Sequence, residues 1–490
     1  MRPILVSKRI PEVKIGLEVH CQLTNLKTKL FCGCPSNYRG DPPNTHLCPV
    51  CLGIPGALPV LNAKAVEDAV MIALALDSEI SRRTTFFRKN YYYPDMAKNF
   101  QISQYDKAGG IPIALGGIVK IEADHDRKIR IRRIQLEEDP AKLVHPGTIE
   151  TSPYTLVDYN RSGIALTEIV TEPDLSSPDE ARIFLKKMRS ILEHLGVSDG
   201  ELEGAMRCDA NISLAGGGRV EVKNISSFKE VERALRFEIM RQASRIEKGV
   251  RVEMETRHWD EARRITISLR TKETEQEYRY FPEPDLVPLI ISEDYIEKCR
   301  KQMPELPDAR ANRFVKQYGL PLYDAKVLIA EKALADFFEQ CAKAYHDPKK
   351  ISNWMMGDLL RRLHEKDIDI HESKITPEHL VKMVKLIDDG VISGKIAKKV
   401  MRIIVETGKT PEEIVEEEEL IRITSEKLLE KMVAEVFERH QKAVRDALKD
   451  EKAAHFLVGE LMRATDGKAD PQLTNRIVKR KLKEISDSGV

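Results

Sequence analysis

Between Val13 and Leu23 the chain reads VKIGLEVHCQL, and its side chains alternate without a break. Val13, Ile15, Leu17, Val19, Cys21 and Leu23 occupy the odd positions; Lys14, Gly16, Glu18, His20 and Gln22 occupy the even ones. A period of two belongs to a strand with one buried face. Side chains two apart on a strand share a face, so Glu18 and His20 project together. A carboxylate beside an imidazole on a rigid strand is a partial ligand set for a divalent cation. The competing reading is a solvated polar face with a chance Glu-x-His.

This strand lies near the start of a chain of 490 residues, longer than one hydrophobic core usually organises, and roughly two to four domains are expected. With 42% hydrophobic and 32% charged residues the composition is that of a globular protein with a heavily charged surface. Apolar runs are too short to span a bilayer. The segment MRPILVSKRIPEVK lacks an apolar h-region and a small-residue cleavage site, so the chain is read as unexported and cytoplasmic, with no membrane partner. A net charge of +1 implies no polyanionic partner globally, though local basic patches remain open.

Eight cysteines are present, and Cys32, Cys34, Cys48 and Cys51 cluster as C-x-C, a thirteen-residue loop and C-x-x-C. In an unexported chain, close thiol pairs around a turn-rich loop suit a tetrahedral, structural Zn²⁺; a redox dithiol is the rival. Four thiolates leave no open coordination position, so this site is assigned no chemistry.

Further along, Asn62 caps an alanine-rich helix. FFRKNYYYPD (from Phe86) sets Tyr91, Tyr92 and Tyr93 beside Arg88 and Lys89, suited either to stacking a base and holding a phosphate or to ordinary strand packing. The glycine-rich GGIPIALGG lacks both G-x-G-x-x-G and the Walker spacing, so any ATP is bound outside the common nucleotide folds. A strand over Ile129–Leu136 ends in Glu137-Glu138-Asp139-Pro140-Ala141-Lys142, either a solvated turn or a source of metal ligands, with Lys142 placed to offset a phosphate. Ser177, Pro178 and Glu180 open a helix as a capping box, and Gly196 closes it. MRCDANISL alternates again with Asp209 on its polar face, and VEVKN turns Glu221 and Lys223 outward. Residues 1–290 thus read as an α+β domain of mostly hairpin-linked strands. Beyond FPEPDLVP the helical period dominates. An all-α domain is placed over 291–408 and a helical tail over 409–490, ending in the basic NRIVKRKLKE. Such charged helical faces are either solvated surface or RNA-facing.

Taken together, GLEVH, FFRKNYYYPD, LEEDPAK, DYNRSG, EIVTEPD, RCDANIS, YRYFPEPD, NWMMG and SGKIAKKV occur in the order of a known family. They closely resemble the B subunits of the aspartyl/glutamyl-tRNA amidotransferases. The resemblance implies a carbon–nitrogen ligase in which ATP phosphorylates the side-chain carboxylate of Asp or Glu misacylated on tRNA(Asn) or tRNA(Gln). Ammonia from a partner glutaminase (the A subunit) then makes the amide, and a small C subunit completes a heterotrimer. It further implies an antiparallel catalytic cradle similar to glutamine synthetase and the guanido kinases, with a tRNA-binding tail. By motif, Glu18, His20, Glu138 (favoured over Glu137) and Asp209 look like the Mg²⁺ ligands, and Glu18, His20, Glu137, Glu138 and Asp209 the catalytic set. Lys89, Lys142, Arg161 and Lys223 are implied contacts to phosphate or the tRNA 3′ end. Two rival functions stand beside this one: a non-catalytic, zinc-containing tRNA-binding component of the same complex, and an amide ligase acting on a small acid.

Overall fold

The computed structural model describes residues 12–123, 125–147, 152–200, 202, 204–214, 217–271, 275–421, 423, 425–448, 453–465 and 467–487; the N-terminal segment read as unexported lies largely outside them. The chain divides into two compact units, Met1–Pro307 and Asp308–Val490.

The first unit is α+β. Its strands and helices used below are β1 (Val13–Gln22), α1 (Ala63–Ala75), β2 (Phe86–Asn90), β3 (Phe100–Gln104), β4 (Asp126–Glu138), β5 (Ala165–Thr171), α2 (Pro178–Leu195), β6 (Met206–Leu214), β7 (Val220–Lys223), α3 (Phe228–Glu247), β8 (Glu255–Asp260) and β9 (Ile265–Thr271). The main sheet runs β9-β8-β7-β6-β1-β5-β4 and continues through the short strands Ala114–Leu115 and Glu79–Ile80. β1 therefore lies inside the sheet, antiparallel to β5 on one side and β6 on the other.

Two expectations are corrected. The centre of the sheet is not built of hairpins, because both neighbours of β1 come from far along the chain. Nor is the sheet wholly antiparallel: β7 and β8 are parallel, since α3 carries the chain back between them.

Ile15, Leu17, Val19 and Cys21 of β1 are fully buried, as are Ala210 and Leu214 of β6. They share one core with Val66, Ala69 and Val70 of α1, Phe184, Leu185 and Met188 of α2, and Val231, Ala234 and Leu235 of α3. Helices thus cover one face of the sheet and leave the polar face open. The helix ends follow their sequence signals. Asn62 accepts from Lys64 N–H, Ser177 from Glu180 N–H, and Gly196 takes the left-handed φ of +70°. Glu180 differs from a simple capping box: its carboxylate accepts from Ser176 N–H at 2.7 Å, one residue before the cap.

The boundary expected at 290 falls inside this unit. Helix Glu293–Gln302 buries Ile296 and Cys299 in the first core, which holds the segment to the α+β body. The second unit is helical, with one core from Ala311 to Leu420 and another from Leu429 to Leu482. The long helix-forming segment after Ser425 breaks at His440 into Glu426–Arg439 and Gln441–Ala447. Within NWMMG the helix opens into a π segment, Met355–Leu359. Among the described residues, no helix is long and apolar enough to cross a membrane.

Candidate active site

Register alone assembles the polar face. Glu18 of β1 lies opposite Asp209 of β6, and His20 opposite Glu168 of β5. On β5, Leu166 lies opposite Gln22 on one side and Glu137 of β4 on the other, and Glu168 faces Gln135. Asn211 of β6 faces Glu221 of β7. Directly opposed residues share a face of a sheet. The even positions of β1 therefore collect Glu168, Glu137, Asp209 and Glu221 around them.

The result is two adjacent clusters, His20 with Glu137 and Glu168, and Glu18 with Asp209 and Glu221. Each offers one ligand atom per residue within 4.8 Å of the others. His20 Nε2 is 3.8 Å from Glu137 Oε1 and 4.0 Å from Glu168 Oε2. Both clusters line a cavity of about 990 Å³, together with Lys89, Arg133, Lys223 and Tyr280. Tyr280 stacks on Tyr105 with ring centres 4.1 Å apart.

Burial, and then the neighbouring Glu168, push the Glu137 carboxyl above its usual range, against the pull of His20 and Lys89. Glu18 is likewise raised, by burial first and then by Glu168 and Glu221. Crowded, desolvated carboxylates resist ionisation until a cation joins them. Lys223 supplies part of that charge: Nζ donates to Asp209 Oδ2 at 2.8 Å and lies 3.3 Å from Glu221 Oε1. Although burial works against its charge, Asp209 and Glu221 hold Lys223 well above the usual lysine range. Lys89 is raised in the same way against its burial, by Tyr280 and Glu137, and its ammonium sits 5.0 Å over the Tyr278 ring. Asn211 Nδ2 donates to Glu18 Oε1 at 2.9 Å, and Ser103 Oγ to Glu137 Oε2 at 2.8 Å, which fixes both carboxylates. Five carboxylates and one imidazole on rigid strands form a hard donor set, a fit for Mg²⁺.

Of the residues singled out from the sequence, Glu18, His20, Glu137, Asp209, Lys89 and Lys223 line the cavity. Glu138, Lys142 and Arg161 do not. The register sets Glu137, and not the favoured Glu138, on the face of the cavity. Glu138 pairs with Ala165 across the strands, on the opposite face, where it bonds Lys98 and accepts from Ile102 N–H at 2.8 Å. The β4–β5 irregularity lies between Val170 and Thr171, at the other end of the pair, and leaves the parity at Glu137 intact. Lys142 is exposed on the hairpin Lys142–Val144/Leu156–Asp158. Arg161 is held inside, its Nε donating to Asp139 Oδ2 at 2.6 Å. Arg88, from the aromatic and basic cluster, is bound in bidentate fashion by Glu283 at 2.7 and 2.8 Å, while Tyr92 and Tyr93 are exposed. Among the cavity residues that carried no assignment from sequence are Glu168, Glu221 and Arg133. Glu221 had a signal, its outward place beside Lys223. Glu168 had none from periodicity, because β5 is buried throughout.

The four cysteines of the knuckle also converge, with sulfurs within 4.8 Å of one another. A hydrogen bond from Cys32 is the main cause that lowers the Cys51 thiol to about 4, whereas burial pushes Cys34 up to about 11. Four converging sulfurs are a soft donor set that fits tetrahedral Zn²⁺. Fully buried Lys29 donates to His46 O at 2.9 Å and adds positive charge beside Cys51.

Residues 13–297 match the GatB/GatE catalytic domain, and residues 336–482 the GatB domain. The chain is 54% identical over 471 residues to the B subunit of the aspartyl/glutamyl-tRNA(Asn/Gln) amidotransferase of Sulfolobus acidocaldarius, covering 96% of this chain and 99% of that protein. The corresponding protein of Sulfurisphaera tokodaii is 55% identical with the same coverage, and that of Thermotoga maritima 53% identical over 478 residues, 96% of this chain and 98% of its own length.

Proposed function

This chain belongs to the family of B subunits of the aspartyl/glutamyl-tRNA(Asn/Gln) amidotransferases, and from that premise we propose that its open sheet is the cradle in which ATP activates the side-chain carboxylate of Asp or Glu carried on tRNA. A carboxylate resists ammonia because its oxygen is a poor leaving group. Transfer of the γ-phosphoryl group converts that oxygen into phosphate, which ammonia displaces to leave the amide. The cradle is similar in kind to those of glutamine synthetase and the guanido kinases. Its ammonia comes from a partner glutaminase, with a small third protein completing the assembly.

The observation that carries this reading is the pair of acidic clusters on one rigid sheet face, lining one cavity together with Lys89, Arg133 and Lys223. His20, Glu137 and Glu168 would hold one Mg²⁺, and Glu18, Asp209 and Glu221 a second. Bound there, Mg²⁺ neutralises phosphate charge and favours in-line transfer. Lys89, Arg133 and Lys223 take the remaining negative charge of the triphosphate. Asn211 and Ser103 keep Glu18 and Glu137 in position, so the donors need little rearrangement when substrate arrives. Cys32, Cys34, Cys48 and Cys51 hold a structural Zn²⁺, and the helical unit supplies tRNA-binding surface.

The test is ATP hydrolysis by the reconstituted complex with Asp-tRNA(Asn) or Glu-tRNA(Gln) added in turn. Hydrolysis should require a misacylated tRNA and fall at least about a hundredfold in Glu18→Gln, the loss expected when a group acting on transferring charge is removed. A Glu18→Gln complex that still hydrolyses ATP and forms amide at the wild-type rate would make this chain a tRNA-binding scaffold instead.

A further inference from the structure

The polar face does not end at the acidic clusters. Arg207 of β6 is the direct cross-strand partner of His20, flanking it on the side opposite Glu168. Its Nη2 donates to Asp139 Oδ1 at 2.7 Å. Asp139 is 1% exposed and already engaged on its other oxygen, accepting from Arg161 Nε at 2.6 Å and Gln22 Nε2 at 3.0 Å. One carboxylate therefore serves two guanidiniums, and Asp209 and Glu137 of the acidic face also act on Arg207. Of the two arginines, Arg161 has a side chain 15% exposed and Arg207 one 41% exposed, so the accessible guanidinium is Arg207.

A fixed cation at the rim of an acidic face calls for an anionic ligand. The cavity wall has cations of its own for the triphosphate, Lys89, Arg133 and Lys223 among them, and Arg207 stands outside that set. What remains is the acceptor, which must bring a carboxylate level with His20. A planar guanidinium presents paired donors matched to a carboxylate's two oxygens.

We infer that Arg207 receives the side-chain carboxylate of the aspartyl or glutamyl group on the tRNA, and that Asp139 is the positioning residue that aims it. This rests on the reaction proposed above. It assigns recognition of the acid, as against its amide, to one side chain.

The experiment uses the assembled complex with wild type, Arg207→Gln and Arg207→Lys, and measures affinity for three forms of one tRNA: uncharged, bearing Asp, and bearing Asn. The wild type should bind Asp-tRNA(Asn) more tightly than Asn-tRNA(Asn). In Arg207→Gln that preference should vanish. KM for Asp-tRNA(Asn) should rise about tenfold or more, the scale of one lost charge-assisted hydrogen bond, while KM for ATP stays within about twofold. Arg207→Lys should recover part of the preference, since it restores charge without the planar fork. Asp139→Asn should weaken the preference while leaving affinity for uncharged tRNA unchanged. Equal losses for all three tRNA forms would overturn the inference in favour of a backbone-phosphate contact, and a rise confined to KM for ATP would overturn it in favour of a nucleotide contact. An unchanged Arg207→Gln complex would overturn it outright. Failure of the reaction reading shows separately, as a wild-type complex that does not couple ATP hydrolysis to misacylated tRNA.

Discussion

Two adjacent glutamates, Glu137 and Glu138, differ in everything except sequence position. Glu137 lies on the sheet's open face with its carboxyl raised by burial and Glu168; Glu138 lies on the covered face, paired with Lys98 and bonded to β3. Substitution should therefore separate activity from stability. Glu137→Gln should cost most of the amidation rate with little change in thermal midpoint, because it removes one of several crowded negative charges. Glu138→Gln should keep the cavity's donors but lower stability by about 3–5 kcal/mol, since breaking one partner of a buried ion pair strands the other. Urea denaturation and single-turnover amidation on both variants would check this. A Glu138→Gln chain as stable as wild type, or an active Glu137→Gln chain, would contradict the assignment. Local alternation near Glu137 did not decide between the pair; pairing with β5 did, and that contact lies about thirty residues away in sequence. Glu168 was hidden for the same reason, on a strand whose own pattern is uniformly buried.

Asp139 makes a second residue-scale prediction, in pH. Its folded carboxyl is held below its unfolded value by Arg207 and Arg161 against the effect of burial. The unfolded chain then takes up the proton first as pH falls. The stabilisation is present in full above the unfolded pKa of about 3.9, and is lost as pH drops from there through the lower folded value. Asp139→Asn should be less stable than wild type at pH 6, and the gap should narrow below about pH 4. Melting curves from pH 3 to 7 test this; a constant gap would mean that the carboxylate's charge contributes nothing.

At the scale of elements, β1 and the knuckle were legible early because each has a local signature: an unbroken period of two, and close thiol pairs around a turn-rich loop. Their attachment was not legible. The knuckle is pinned by long-range bonds, with Asn44 Nδ2 donating to Val157 O, His46 N–H to Asn160 Oδ1, and Asn160 Nδ2 to Pro42 O. Zinc removal should therefore be felt at 156–160 as well as 31–51. Hydrogen exchange before and after chelation should show faster exchange in both segments, with β1, β5 and β6 protected as before, because their ladders and core do not use the metal. Faster exchange spreading through β1 would mean that the knuckle holds up the sheet. Leu17→Ala tests the other side of the same element. A fully buried leucine beneath the cluster strand should cost roughly 2–5 kcal/mol.

For the whole molecule, the shift from mixed to helical composition marked two kinds of structure, and the boundary lies later than composition put it, at Pro307, because Ile296 and Cys299 belong to the first core. Composition registers a change of secondary structure; a unit boundary depends on which core a helix buries its apolar side in. The last helix, Pro471–Asp487, poses the remaining question of charge. Part of its basic stripe is neutralised locally, Arg480 pairing with Glu426 and Glu430. Arg476 and Lys483 are exposed. If this helix meets the tRNA backbone, Arg476→Gln with Lys483→Gln should weaken binding of charged and uncharged tRNA alike, and reduce the slope of log affinity against log salt by about one to two, the change expected for that many phosphate contacts. Arg480→Gln should do less to the slope and more to stability, because its partners are Glu426 and Glu430 of the same helical core. A salt slope unmoved by the double substitution would return the stripe to plain solvated surface, and the tRNA contacts would then have to lie on other helices of the second unit or on the cradle itself.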